Sequence, residues 1–265
     1  MEKVQNKKDQ NFQQVSIVMP VYNERNTIEI IVERVQRVDI PKELIIIDDG
    51  STDGTREWLH QQFGQSPTDG ETGDKGSCQS IEGDPPIRVF FHKKNLGKGA
   101  ALKTGFQHAR GEIVIVQDAD LEYNPEEYSQ LLEPLITDQA DVVYGSRFGG
   151  AWVRQGSLIS YLGNKIFTQL INAATGLSLT DVWTGYKVFK KEVLEGISLK
   201  ESRFEMEVEL TLKIAHQKWR VTEIPISYQP RSKAEGKKIG WKDGIQALKM
   251  FYRYRPTSRV RSFHS

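Results

Sequence analysis

Short runs of branched apolar residues recur along this chain, each bounded by polar positions and most followed by a segment of helical spacing. Val15-Ser16-Ile17-Val18-Met19-Pro20 reads as a first strand, and Pro20 ends it because proline has no amide hydrogen to give to a ladder. After Asn26 or Thr27 as a cap, Ile28, Ile31, Val32 and Val35 fall at helical spacing. Residues 44–47 form a second apolar run, with a helix beginning near Thr55. Residues 87–92 read as a third strand, and the glycine-bearing segment 95–101 opens a helix that runs through Ala109. Ile113-Val114-Ile115-Val116 is the central run. Its four branched residues are too few for a helix and predict a strand buried on both faces of a parallel sheet.

Residues 125–136 suit a helix, and 141–147 a further strand ending in Arg147. Residues 157–175 are helical, with Leu158, Leu162, Ile166 and Leu170 on one line and Ile159, Phe167 and Ile171 beside it. Such a stripe is more often core than membrane contact, although a partly exposed one is suited to a lipid chain. Val208, Leu212 and Ala215 align on a helix starting at 204–209, residues 220–228 read as a strand, and 243–254 as a last helix. Strands alternating with helices predict an α/β fold. We expect a doubly wound, mostly parallel twisted sheet, flanked by helices in a single domain over 15–254, with right-handed crossovers. Residues 1–14 are expected to be disordered. Residues 64–86, rich in Gly, Ser, Thr, Pro and acid, read as a flexible insertion, and 255–265 as a basic tail carrying Arg255, Arg259 and Arg261.

Composition changes this picture little, but charge changes it more. No apolar run approaches the roughly 18 residues that span a bilayer, and the polar N-terminus lacks a secretory apolar centre, so a cytoplasmic location is expected. The lone Cys78, in a polar stretch, has no partner for an internal disulfide and is a poor candidate for a catalytic thiol. The net charge of +1 is unevenly spread: from Arg203 onward 14 Lys and Arg face 6 Asp and Glu. That basic end suggests an anionic partner such as a phosphate or a lipid headgroup. Nucleic acid is a poor fit, because the basic excess is not interleaved with aromatic stacking residues.

Candidate chemistry gathers where strands end, because open α/β sheets bind ligands outside the carboxyl ends of their strands. Asp118 and Asp120 follow the central run, and alternate residues of an extended segment point to one side, so both approach one cation. Hard divalent ions prefer such oxygen ligands and share them with substrate phosphates. After the first strand, Tyr22 is placed to stack on a base or pack in the core, and Glu24 to meet a sugar, a ribose or a helix N-terminus. After the second, Asp48 or Asp49 is placed to bind base or ribose, whereas Asp53 suits a helix cap. Asn95-Leu96-Gly97-Lys98-Gly99 puts glycine and a lysine at a helix N-terminus, a phosphate-binding arrangement that matches neither a P-loop nor a dinucleotide fingerprint. Arg147 is placed either to reach phosphate or to pair with Asp118 or Asp120. Asp181 and Lys187 lie near a glycine turn, and the segment 230–241 is basic and glycine-bearing, suited to folding over a diphosphate.

The ordered set Pro20-x-Tyr22-Asn23-Glu24, Asp48-Asp49-Gly50-Ser51-x-Asp53-Gly54-Thr55, Asn95-x-Gly97-Lys98-Gly99, Asp118-x-Asp120, Gly145-Ser146-Arg147 and the late basic loop resembles family 2 glycosyltransferases of the GT-A (Rossmann-like) fold. Within these it is similar to the dolichyl-phosphate mannose synthases and related polyprenyl-phosphate glycosyltransferases, over roughly residues 15–250. The resemblance implies that Pro20, Tyr22, Glu24 and Asp49 contact the nucleotide, with Asp48 supporting that edge. It implies that Asp118 and Asp120 hold Mg²⁺ or Mn²⁺ on a nucleotide-sugar diphosphate. Relatives often carry Gln as a further metal ligand where this chain has Glu122, which can still bind the cation while adding negative charge. Arg147, Lys187, Arg231 and the late-loop lysines Lys233, Lys237 and Lys238 correspond to phosphate-contacting positions, with Lys98 adding charge; Gly236-Lys237-Lys238 departs from the usual Gly-Lys-Ser-Lys.

The implied reaction is inverting transfer from GDP-mannose, or from UDP-glucose, to a polyprenyl or dolichyl phosphate, with the enzyme meeting its lipid peripherally at the cytoplasmic face of the membrane. For a hydroxyl acceptor Asp181 or Glu205 is the candidate base, each with a structural ion pair to Lys187 or Arg203 as its simpler role. The rival reading is a catalytically silent nucleotide-sugar-binding domain.

Overall fold

The computed structural model describes residues 14–64, 78–81, 86–148, 158–203, 205–231, 248–249 and 251–254. The strands are β1 (Val15–Val21), β2 (Lys42–Asp48), β3 (Cys78–Ile81), β4 (Ile87–Phe91), β5 (Ile113–Val116), β6 (Val142–Ser146), β7 (Lys187–Lys190) and β8 (Val221–Pro225). The helices are α1 (Ile28–Arg37), α2 (Thr55–Phe63), α3 (Lys98–His108), α4 (Tyr128–Ile136), α5 (Leu158–Thr175), α6 (Lys191–Glu195) and α7 (Glu205–His216). Among the described residues the strands form one sheet in the order β3-β4-β2-β1-β5-β7-β6-β8.

Each central strand sends alternate side chains into two separate cores, as its period of two requires. Ile17, Met19, Leu44, Ile46, Ile113 and Ile115 pack on one face with Ile28, Ile31 and Val35 of α1, Leu59 of α2 and Leu131 and Leu132 of α4. Val18, Ile45, Ile47, Val114 and Val116 pack on the other with Ala101 and Leu102 of α3 and Met206, Leu210 and Ile214 of α7. The result is a helix–sheet–helix sandwich whose inner strands have both faces covered, which is why they read as unbroken apolar runs.

The position of the site follows from strand order. From β1 the chain steps outward to β2 and β4, then returns through α3 to β5 on the opposite side of β1. The crevice outside the ends of β1 and β5 is therefore the topological switch point of the sheet. α3 reaches it by lying close across β1: a Cβ on Gly105 would come 2.2 Å from Val18 Cγ1 and 2.9 Å from Ile47 Cδ1.

Four features differ from the sequence-based expectation. The segment of β7, near a glycine turn in the sequence and not expected as a strand, lies antiparallel between β5 and β6, so the sheet is mixed there. Inside the expected insertion 64–86, β3 pairs antiparallel with β4; residues 65–77 and 82–85 lie outside the described residues. α7 is buried around most of its circumference, Glu207 and Glu209 included, where the pattern predicts a single apolar line. The apolar line of α5 also divides: Leu170 packs inward beside Ile171, while Leu162 and Ile166 are exposed at 58% and 62%. Residues 1–13, 232–247 and 255–265 lie outside the described residues, and no described helix is long and apolar enough to cross a membrane.

The close approach at Gly105 is testable. Gly105→Ala is expected to cost about 1–3 kcal/mol of unfolding free energy by overpacking α3 against β1, read as a lower urea midpoint at unchanged slope.

Candidate active site

Two residues beyond β5, the Asp118 carboxylate meets the ammonium of Lys98, the first residue of α3, with Nζ 2.7 Å from Oδ1 and 2.8 Å from Oδ2. Gly185, just before β7, makes room for this pair, since a Cβ there would stand 2.3 Å from Asp118 Oδ2. Because β7 runs antiparallel to β5, its start lies beside the end of β5, which brings Thr184, Gly185 and Lys187 into the crevice. Behind Lys98 lies Glu207 of α7, whose Oε1 is 3.8 Å from Lys98 Nζ and whose Oε2 is 2.5 Å from Lys187 Nζ. Lys187 also donates to the Thr184 carbonyl. Four charges thus alternate in sign from Asp118 through Lys98 and Glu207 to Lys187. Burial alone would lower the Lys98 ammonium, but Asp118, Glu207 and Asp120 outweigh it and hold it above the ordinary lysine range. At Lys187 burial dominates, and its ammonium is pushed down despite Glu207. Glu207 has no signal of its own in the sequence beyond lying on a helix.

Asp120 sits on a strained turn. Leu121, with φ of 63°, adopts the left-handed conformation that bulky residues rarely take. Glu122 N donates to Asp120 Oδ1, Gln229 N to the Glu122 carbonyl, and Arg231 Nε to the Asp120 carbonyl, which together fix the turn. Burial, then the charges of Asp118 and Glu122, push the Asp120 carboxyl up to about 7 against the opposing pull of Arg231. Glu122 itself faces the segment after β8: Tyr228 OH donates to one oxygen at 2.9 Å and Arg231 N to the other at 2.9 Å. The Arg231 guanidinium crosses the crevice to Glu24, 2.6 Å from Nη2 to Oε2. One arginine therefore ties the β1 turn, the Asp120 turn and the β8 end.

The turns after β1 and β2 are laced together. Asn23 N donates to Ser51 Oγ, Thr52 N to Asn23 Oδ1, Glu24 N to Thr55 Oγ1 and Arg25 N to Asp53 Oδ2. Asp53 also accepts from the Thr55 amide, close to the capping role expected of it. Asp48 is fully buried and accepts from Arg56 Nε at 2.7 Å. Asp49 accepts from Leu96 N at 2.9 Å and Gly97 N at 2.8 Å, with His92 Nδ1 at 2.7 Å, and so holds the loop that delivers Lys98. Pro20, Tyr22 and Glu24 are half-buried along the rim of the β1 turn.

Arg147 pairs with neither Asp118 nor Asp120. Its guanidinium grips Asp181, Nε to Oδ2 at 2.6 Å and Nη2 to Oδ1 at 2.8 Å, and lies 5.0 Å from the ring centre of Tyr228. Asn164 of α5 donates to the same carboxylate, and Glu223 fixes its backbone by accepting from Asp181 N. Although burial opposes it, the Arg147 charge holds the fully buried Asp181 carboxyl below the usual range. Lys233, Lys237 and Lys238 lie outside the described residues.

The donor set suits a hard divalent cation. Asp118 already carries a cationic group on both oxygens, and burial together with the charges of Asp118 and Glu122 pushes the Asp120 carboxyl up to about 7. Among the described residues no three His, Cys, Asp or Glu side chains form a ready ligand cluster. Asp118 and Asp120 would therefore share an ion with substrate oxygens, the arrangement usual for Mg²⁺.

Comparison with known proteins gives a consistent picture. The profile of Glycosyl transferase family 2 matches residues 16–198. The dolichol-phosphate mannosyltransferase of Pyrococcus furiosus is 29% identical over 246 residues, covering 90% of this chain and 63% of that protein. The undecaprenyl-phosphate mannosyltransferase of Micrococcus luteus is 29% identical, with 85% of this chain and 88% of that protein covered. The polyprenol monophosphomannose synthase of Mycolicibacterium smegmatis is 30% identical, with 86% and 82% covered. Among solved structures, glucosyl-3-phosphoglycerate synthase from Mycobacterium tuberculosis in complex with UDP superposes with a TM-score of 0.66 at 19% identity, covering 93% of this chain and 82% of that one. It shares the fold.

The raised Asp120 carboxyl makes a stability prediction. The folded protein holds this proton more tightly than the unfolded chain, whose value is near 3.8, so ionisation penalises the fold increasingly as pH rises from about 4 to about 7. With chelator present, Asp120→Asn is expected to add roughly 1–3 kcal/mol at pH 8 and little at pH 4, by denaturant unfolding at both values. An equal effect at the two pH values would contradict the crowding of acids.

Proposed function

The chain belongs to glycosyl transferase family 2, and from that premise we propose that it transfers a hexose, with inversion, from a nucleotide sugar to the phosphate of a polyprenyl or dolichyl lipid. GDP-mannose is the favoured donor, on the strength of three relatives named for mannose transfer to, or attachment on, such lipids. The observation that supports the reading is the placement of Asp118 and Asp120 just beyond β5 at the switch point, with Arg231 joining the Asp120 carbonyl to Glu24 of the β1 turn.

The proposed roles divide among the turns. The rim of Pro20, Tyr22 and Glu24 takes the nucleoside, with Asp48 and Asp49 shaping its floor from behind. Asp118 and Asp120 hold the cation. Mg²⁺ or Mn²⁺ bound there supplies Lewis-acid stabilisation of the departing diphosphate. Lys98, Arg231 and Lys187 add positive charge around that leaving group, the resemblance assigns the same part to Lys233, Lys237 and Lys238, and Glu122, by holding Tyr228 and Arg231, sets where the late segment starts. A phosphate acceptor is already ionised at neutral pH and needs no strong base. This agrees with Asp181, whose carboxylate is locked to Arg147 and held below the usual range. Asp181 instead orients Arg147 toward the acceptor phosphate. α5, which carries Asn164 to Asp181, exposes Leu162 and Ile166 around Lys165, an apolar and basic face suited to a membrane surface. The proposed enzyme works at the cytoplasmic face of a membrane, bound peripherally.

The test is transfer of labelled sugar from GDP-mannose or UDP-glucose to a polyprenyl phosphate with Mn²⁺ or EDTA. The expected result is metal-dependent transfer preferring GDP-mannose, reduced at least about 10²-fold in Asp118→Ala and in Arg231→Ala, the loss typical of removing one leaving-group stabiliser. Preference for UDP-glucose would reassign the donor, and absence of transfer from either would leave a silent binding domain.

A further inference from the structure

The placement of Lys98 goes beyond adding charge for phosphate. Its ammonium contacts both oxygens of Asp118, the carboxylate proposed to hold the divalent ion, at 2.7 and 2.8 Å. An ammonium and a divalent cation repel each other, so full occupation of Asp118 by one requires the other to withdraw. A second carboxylate waits on the far side: Glu207 Oε1 lies 3.8 Å from the same nitrogen, about 1 Å beyond hydrogen-bond contact. Glu207 is itself held in place, 6% exposed on α7 and anchored through its other oxygen to Lys187. Lysine has a flexible four-carbon stem that permits such a step without movement of the backbone.

We infer that Lys98 is a tethered cation with two seats, resting on Asp118 when no metal is present and moving onto Glu207 when a divalent ion takes Asp118, with Glu207 acting as the positioning residue that makes this exchange possible. The inference rests on the proposed metal-dependent reading. Without Lys98, Asp118 would stand as an uncompensated acid beside Asp120 in the metal-free protein. Without Glu207, metal binding would strand the ammonium between an ion and the walls of the crevice. Glu207 also keeps Lys98 next to the diphosphate after the exchange, and does not release it to solvent.

The experiment is Mn²⁺ binding to the full chain without nucleotide, followed by loss of the free-ion EPR signal, in a double-mutant cycle. Lys98→Met is expected to bind Mn²⁺ at least fivefold more tightly than the unsubstituted protein, because the competitor is gone. Glu207→Gln is expected to bind it at least fivefold more weakly, because Lys98 then has only Asp118. The same Glu207→Gln change made in Lys98→Met is expected to shift affinity less than twofold. A general field effect of the Glu207 charge would weaken binding by the same factor in both backgrounds, and that result overturns the inference. So does unchanged or weaker binding in Lys98→Met, a variant that leaves the Glu207 to Lys187 pair intact and decides the question even if Glu207→Gln does not fold. Failure of the unsubstituted protein to bind Mn²⁺ at all would remove the metal reading as well, whereas normal binding with an indifferent Lys98→Met removes this inference alone.

Discussion

A carboxylate at the end of a fully buried strand must be matched by a positive charge, and the architecture around β5 answers to that constraint. An uncompensated ion in such surroundings costs several kcal/mol. Asp118 is matched by Lys98, Lys98 is backed by Glu207, and Glu207 in turn offsets part of the burial that pushes the Lys187 ammonium down. Each member comes from a different element: the end of β5, the start of α3, the first turn of α7 and the first residue of β7. The need to bring these four together explains why Gly185 has no side chain and why Asp49, buried, spends its oxygens on the loop before α3.

A second group of contacts fixes the rim. The Leu121 conformation stores strain of about 1–3 kcal/mol, and it persists because the segment after β8 holds both sides of the turn, through Gln229, Tyr228 and Arg231. The β1 and β2 turns need no such help, being stitched by Asn23, Ser51, Asp53 and Thr55. One rim is therefore built into the domain itself, while the other depends on the late segment being in place. The Asp120 turn and the seating of that segment are thereby linked, since Arg231 touches both the Asp120 carbonyl and Glu24.

Much of this architecture is legible in the amino-acid sequence. The buried runs at 15–20, 44–47, 87–92 and 113–116 each form a strand, because residues covered on both faces have only one way to read. The two aspartates after the central run fall at the switch point for the same reason. β7 carries no such signal: Lys187-Val188-Phe189-Lys190 has lysines at both ends and only two apolar residues, too little for a pattern. Its place between β5 and β6 is a long-range pairing with no local trace. The partner of Arg147 is likewise hidden, since Asp181 is 34 positions away and becomes its neighbour only once β7 turns the chain back across the sheet.

What the sequence determined by itself was the alternation of elements, the edge at which polar residues collect and the residue types offered there, because each depends on periodicity and chain order within a few residues. The tertiary structure decided the pairings: Lys98 on Asp118 with Glu207 behind it, Arg147 on Asp181, Arg231 on Glu24, Glu122 on the segment after β8. A charge carries no local signal for a partner as far along the sequence as these. Its partner is fixed only when packing of the two cores brings a complementary group within about 3 Å in a place that water has left.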